Sequence, residues 1–225
     1  DCSFIGETAG DNAGVSVSSA GDVDGDGFDD LLIGASSNDD GGSLAGKAYL
    51  ILGSNLGSSS TVDLSLADYS FIGEAAGDEA GISVSSAGDV DNDGLDDLLI
   101  GASSNDDGGT NAGKTYLILG SNLGSSSTID LSLADYSFIG ETTEDWAGNS
   151  VSSAGDVDGD GLDDILIGAY GNDNAGMQAG KSYLIFGSSL SLSPNIDLST
   201  ANFSFIGEDI YDEFGYSVSS AGDVD

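Results

Sequence analysis

The residues best equipped for chemistry in this chain are aspartates, and they recur at a fixed spacing. One run reads Asp22-Val23-Asp24-Gly25-Asp26-Gly27-Phe28-Asp29-Asp30. It returns as Asp89-Val90-Asp91-Asn92-Asp93-Gly94-Leu95-Asp96-Asp97, and again as Asp156-Val157-Asp158-Gly159-Asp160-Gly161-Leu162-Asp163-Asp164. Carboxylates stand at loop positions 1, 3, 5 and 9, with glycine at position 6. Carboxylates converging on one point repel, each close pair costing on the order of 4 kcal/mol at an effective dielectric near 20. A hard cation reverses that sign. Ca²⁺ takes six to eight oxygen ligands in flexible geometry, which suits short aspartates on a tight loop. Glycine at position 6 permits the sharp turn, after which the carbonyl of position 7 can face the ion. The expected ligands are therefore Asp22, Asp24, Asp26, Asp30 and the Phe28 carbonyl in the first loop. In the second they are Asp89, Asp91, Asp93, Asp97 and the Leu95 carbonyl, and in the third Asp156, Asp158, Asp160, Asp164 and the Leu162 carbonyl. A fourth loop opens at Asp223 and reaches only Asp225. Asp, Asn and Gly also make ordinary turns, but three full copies in register point to metal. An EF-hand is excluded, because position 12 is Ile33, Ile100 or Ile167 where a bidentate Glu is needed, and the flanks read as strands.

Composition narrows the remaining chemistry. Asp plus Glu number 40 against 3 Lys plus Arg, a net charge of −37 over 225 residues. With 39% hydrophobic residues the chain folds rather than forming an acidic disordered tail. Its surface repels nucleic acid and anionic membranes, and apolar runs such as residues 49–52 are too short for membrane insertion. Without histidine there is no imidazole base and no His-ligated metal. Glu7, Glu74, Glu141 and Glu208 offer carboxylates of the kind used in glycoside hydrolysis, but they recur once per repeat, unlike an active site. The chain is read as non-enzymatic. Lys47, Lys114 and Lys181 are its only cations; they are expected as solvated strand-edge lysines, with a tie to an Asp of a neighbouring loop as the alternative. Tyr49, Tyr116 and Tyr183 are expected to pack. Cys2 holds the place of Tyr69, Tyr136 and Phe203, which suggests buried filler or a bond to a cysteine elsewhere.

The elements that must position these loops follow from an internal repeat. Phe4, Phe71, Phe138 and Phe205 each open Phe-Ile-Gly-Glu at steps of 67 residues, and the first two copies are identical at 58 of 67 positions. Within the first repeat four strands are expected, at residues 15–20, 30–35, 47–52 and 69–74, separated by Gly, Asn, Asp and Ser clusters. Residues 65–68 could add one helical turn. The second and third strands are continuously apolar, as in sheets covered on both faces. The first tapers into Ser18-Ser19-Ala20-Gly21, small enough for strands converging on an axis. Four strands per repeat with a tapering inner strand describe an all-β fold, a β-propeller of four-stranded blades. A linear β-solenoid is the alternative, but its rungs are usually far shorter. Complete blades are expected at residues 14–74, 81–141 and 148–208, with the outer strand of a preceding blade at 1–7 and the inner strand of a following one at 215–225. Three blades are fewer than propellers use, so the array is expected to need further repeats or other copies of the chain.

These repeats resemble the FG-GAP family, which includes the integrin α-subunit propeller. Phe214-Gly215-Tyr216-Ser217-Val218 matches the family's opening, whereas Ala13-Gly14, Ala80-Gly81 and Ala147-Gly148 lack the phenylalanine. Gly34-Ala35-Ser36, Gly101-Ala102-Ser103 and Gly168-Ala169-Tyr170 stand for Gly-Ala-Pro. The resemblance implies a propeller with calcium between the two inner strands and a role in adhesion or recognition. The expected function is a calcium-stabilised extracellular or cell-surface protein of adhesion or assembly, partnered by other repeats or copies, or by a surface protein or glycan. The alternative is a lectin-like or receptor-like binding module.

Overall fold

The computed structural model describes residues 2–57, 61–124 and 126–222; Asp223 and Asp225 lie outside them. Among the described residues there is no α-helix. Each repeat forms four antiparallel strands. In the first they are β2 (Ala13–Gly21), β3 (Asp30–Ala35), β4 (Lys47–Ile51) and β6 (Tyr69–Ile72); in the second β7 (Ser83–Gly88), β8 (Asp97–Ala102), β9 (Lys114–Ile118) and β11 (Tyr136–Ile139). The third has β12 (Ser150–Gly155), β13 (Asp164–Ala169), β14 (Lys181–Ile185) and β16 (Phe203–Ile206). The expected strands of the first repeat are all present within two residues at either end.

The blades stack face to face. Leu32, Leu50 and Phe71 of the first sheet meet Val84, Leu98, Ile100, Tyr116 and Ile118 of the second. Leu99, Leu117 and Phe138, from the other face of that second sheet, meet Val151, Ile165, Ile167, Tyr183 and Ile185 of the third. The continuous apolar runs are therefore strands buried on both faces, with alternate residues serving alternate neighbours. Gly34 and Gly101 allow the closest approach, since a methyl group there would collide with the carbonyls of Gly81 and Gly148 in the next blade.

Three strands of three residues were not foreseen: β5 (Thr61–Asp63), β10 (Thr128–Asp130) and β15 (Asn195–Asp197). They pair in parallel with the outer strand of the preceding blade, β1 (Ser3–Ile5), β6 and β11 respectively. Backbone hydrogen bonds thus cross each blade boundary. Each leads into a 3₁₀ turn whose N-cap aspartate, Asp63, Asp130 or Asp197, accepts the N–H of Ser65, Ser132 or Ser199.

Two side-chain expectations are corrected. Lys47, Lys114 and Lys181 are buried, with 5–6% exposure, not solvated at a strand edge. Burial is tolerated because each ammonium is paired. Lys47 donates to Glu7 and Asp40, both at 2.7 Å; Lys114 to Glu74 at 2.8 Å and Asp107 at 2.7 Å; Lys181 to Glu141 at 2.6 Å. Each glutamate follows the outer strand of the preceding blade, so the pair ties one blade to the next. The ammonium groups lie 4.9–5.1 Å from the ring centres of Tyr49, Tyr116 and Tyr183, which are fully buried. Cys2 is exposed rather than buried. Of its counterparts, Tyr69 and Tyr136 lie on β6 and β11 beside β4 and β9, and Phe203 on β16 beside β14, whereas among the described residues β1 pairs with β5 alone.

Candidate metal centre

The Asp-rich loops join the inner strand of each blade to the second. A β-bulge interrupts the register between Ser19 and Gly21, between Ser86 and Gly88, and between Ser153 and Gly155. The glycines that follow it have φ of 73–76°, a left-handed conformation that suits Gly. The bulge re-aims the chain so that position 1 of the loop turns in while position 9 opens the next strand.

The structure brings together carboxylates from positions 1, 3 and 9. In each loop, Asp22, Asp24 and Asp30, Asp89, Asp91 and Asp97, or Asp156, Asp158 and Asp164, one oxygen per residue lies within 4.8 Å of the others. Position 1 organises the turn: Asp22 accepts the N–H of Asp26 at 3.0 Å and of Gly27 at 2.9 Å. Position 9 is fully buried, and Asp30 accepts N–H groups from Val23 at 3.0 Å and Gly53 at 2.7 Å. Position 5 is not among the gathered oxygens. Asp26, Asp93 and Asp160 instead accept the N–H of the residue two further on, at 2.9–3.0 Å. Position 7 supplies that N–H from Phe28, Leu95 or Leu162.

The electrostatics of these clusters are unfavourable as the protein alone presents them. Burial pushes Asp97 up to about 7, against the lowering effect of N–H groups from Gly120 and Val90, and the Asp91 and Asp93 carboxylates add to the rise. Asp30 and Asp164 are raised for the same reasons, burial first. No side-chain cation answers this charge. All three lysines sit at the far end of the blade: Lys47 pairs with Ala35, five residues along β3 from Asp30. That is about 17 Å at a rise of 3.3 Å per residue, beyond a screening length of about 8 Å. Each is already committed to acids of its own. Hard oxygen donors, converging and uncompensated, fit a divalent cation such as Ca²⁺.

Two recurrent polar features escaped the sequence reading. One is a buried pair beside each lysine, Asn38 donating to Asp11 at 2.8 Å, Asn105 to Asp78 at 2.8 Å and Asn172 to Asp145 at 2.9 Å. The other is position 8 of the loop, where Asp96 and Asp163 reach into the preceding loop. Both recur at the 67-residue step, a signal present in the sequence but shared with every position of a near-identical repeat.

Residues 13–51, 80–118 and 147–185 match the FG-GAP repeat family, together just over half of the chain. The chain is 32% identical to integrin alpha-5 of Xenopus laevis over 199 residues, covering 86% of this chain and 18% of that protein. It is 29% identical to integrin alpha-PS2 of Drosophila melanogaster over 176 residues, 76% of this chain and 12% of that one. It is also 32% identical to phosphatidylinositol-glycan-specific phospholipase D of Bos taurus over 207 residues, 88% of this chain and 23% of that one. The chain thus spans less than a quarter of the length of each of these relatives.

Proposed function

That the chain belongs to the FG-GAP repeat family is the premise from which we propose its role: a calcium-stabilised, extracellular or cell-surface array of propeller blades that serves adhesion or assembly and performs no catalysis. Complete blades occupy residues 14–74, 81–141 and 148–208. The observation that carries this reading is the charge balance of the loops, three converging carboxylates each with every lysine of the chain engaged elsewhere.

Asp22, Asp24 and Asp30 would hold the ion of the first loop, joined by Asp26 and the Phe28 carbonyl. The second loop would use Asp89, Asp91, Asp97, Asp93 and the Leu95 carbonyl, and the third Asp156, Asp158, Asp164, Asp160 and the Leu162 carbonyl. A bound ion supplies positive charge that turns repulsion within the loop into attraction and fixes the turn between the two inner strands. Of the four recurrent glutamates first considered for hydrolysis, Glu7, Glu74 and Glu141 are taken up by the lysines, and Glu208 is exposed. Similarity to a phospholipase D over 23% of that enzyme's length does not bring its activity to these repeats. Similarity to two integrin alpha chains supports an adhesive role outside the cell, and no described helix is long and apolar enough to cross a membrane. Two nearly identical repeats present one surface twice, which favours partners that are themselves repetitive, including copies of this chain.

Metal analysis after dialysis against calcium, with calorimetric titration of the stripped protein, tests the reading. Three calcium ions per chain in the complete loops are expected. A chain that retains and binds none overturns it.

A further inference from the structure

The three loops are not separate sites along the array. Asp96, at position 8 of the second loop, accepts the Asp22 N–H through Oδ2 at 2.8 Å, and its own N–H donates to the Asp22 carbonyl at 3.1 Å. Asp163 of the third loop holds Asp89 the same way, at 3.0 and 3.1 Å. In both cases the clasped residue is position 1, whose carboxylate organises the turn and joins the three-oxygen cluster. The clasping residue lies between positions 7 and 9 of its own loop. The surrounding chain leaves room for this contact: a methyl group on Gly21 or Gly88 would overlap the Asp96 or Asp163 carboxylate. Asp29, the same residue at the same loop position, meets no other loop of this kind among the described residues, and it is exposed while Asp96 and Asp163 are half-buried.

We propose that Asp96 and Asp163 are positioning residues that couple the metal loops of successive blades, so that an ion in one loop pre-organises the loop before it. This rests on the calcium reading above. An ion held through Asp97 fixes the backbone of Asp96, and Asp96 then fixes the backbone of Asp22, the first ligand of the preceding loop. By linkage the effect is reciprocal in binding free energy, so an ion in either loop favours an ion in the other. Asp163 does the same for Asp89, and the third loop has no such clasp among the described residues.

Calorimetric titration of the full chain with calcium chloride tests the coupling. Asp91→Ala empties the second loop without touching the Asp96 contacts. The first loop, its own sequence intact, should then bind about tenfold more weakly, within the usual range of coupling between sites, and the third, coupled to the second through Asp163, should weaken as well. Asp96→Ala alone should weaken the first loop to a similar extent. Added to Asp91→Ala it should change little more, because both remove one coupling. Asp96→Asn keeps an acceptor for the Asp22 N–H and should restore near wild-type binding, which a general loss of structure would not allow. Far-ultraviolet circular dichroism of each variant without metal checks that the sheets persist, and Asp91→Ala carries the test if Asp96→Ala does not fold. Asp91→Ala that merely subtracts one site and leaves the other two at wild-type affinity overturns the coupling while leaving the calcium reading intact. Wild-type protein that binds no calcium overturns both.

Discussion

Replacing Lys114 with methionine removes a buried cation and leaves its anions behind. Lys114 is 5% exposed, and its ammonium reaches Glu74 at 2.8 Å and Asp107 at 2.7 Å. The two acids differ in what they can recover. The Asp107 side chain is 50% exposed and regains water, so its pairing is worth only about 0–1 kcal/mol. The Glu74 side chain is 15% exposed and stays largely dry. Removing one partner from a buried pair costs about 3–5 kcal/mol. The Asn105 amide still donates to Glu74 at 3.1 Å, which places the expected loss near the lower end, at about 3 kcal/mol. For a chain of this size that lowers the melting temperature by about 6–12 °C. Adding Glu74→Gln removes the stranded charge and should recover stability to within about 1 kcal/mol of wild type, because neutral replacements of a buried pair are often tolerated. Lys181→Met supplies the comparison. Asn174 stands where Asp107 stands, which leaves one acid fewer, but Asn172, the counterpart of Asn105, donates to Asp145 while Asn105 also supports Glu74; the two differences oppose, and the loss should match that of Lys114→Met to within about 1 kcal/mol. Urea unfolding in excess calcium, followed by far-ultraviolet circular dichroism, measures all of these. A Lys114→Met protein within about 1 kcal/mol of wild type, or a Glu74→Gln addition that deepens the loss, would refute the reasoning.

Other perturbations follow from the same contacts. Calcium removal should destabilise the array: with Kd of roughly 10⁻⁴ M and calcium near 10 mM, linkage gives about 2.7 kcal/mol per site, and an unchanged melting temperature in excess chelator would contradict it. Stability should fall as pH climbs above 10. Burial raises the phenols of Tyr49, Tyr116 and Tyr183 above their ordinary 10.0, so the folded state keeps protons that the unfolded chain has released. Lys47 and Lys114 add to this, since hydrogen bonds from their ammonium groups to Asp40 and Glu7, and to Asp107 and Glu74, outweigh the lowering effect of burial and hold them above 10.5; their stabilising contribution is lost as pH rises through those folded values. Tyrosinate absorbance should show these three phenols ionising only with the loss of circular dichroism, and early ionisation of all eight tyrosines would count against their burial. Gly101→Val should cost about 1–3 kcal/mol in the same urea assay through collision with the Gly148 carbonyl, and a neutral result would show that the blades are not in such close contact. Trp146→Glu copies Glu79 of the preceding repeat and removes the ring stacked on Tyr170 at 5.2 Å; a loss of about 0.5–1.5 kcal/mol is expected from the ring pair, measured by urea unfolding, and no loss would mean that the stack contributes nothing.

The repeat, its strands and its loops are legible in the order of the amino acids, because those signals are local. Tyr49-Leu50-Ile51 can be buried on both faces only as a central strand, and alternation of Asp with Gly in residues 22–27 specifies a tight oxygen-rich turn wherever the loop sits. Identical repeats also say that whatever one blade contacts, the next contacts 67 residues later. They do not say which residues meet across the boundary. Lys47 looked like a solvated strand-edge lysine because nothing near it in sequence reveals that Glu7, 40 residues earlier, lies 2.7 Å away. The strands β5, β10 and β15 are too short to carry a period, and they become strands only because β1, β6 and β11 of the preceding blades offer a free edge. The division of labour within the loop is of the same kind. Positions 1, 3, 5, 8 and 9 are all aspartate, chemically alike in sequence; bulge, strand direction and the neighbouring blade send Asp89, Asp91 and Asp97 to one point, turn Asp93 back onto Leu95, and send Asp96 into the preceding loop. A carboxylate's role is set by the direction in which the backbone holds it, and that direction is fixed by contacts distant in the chain.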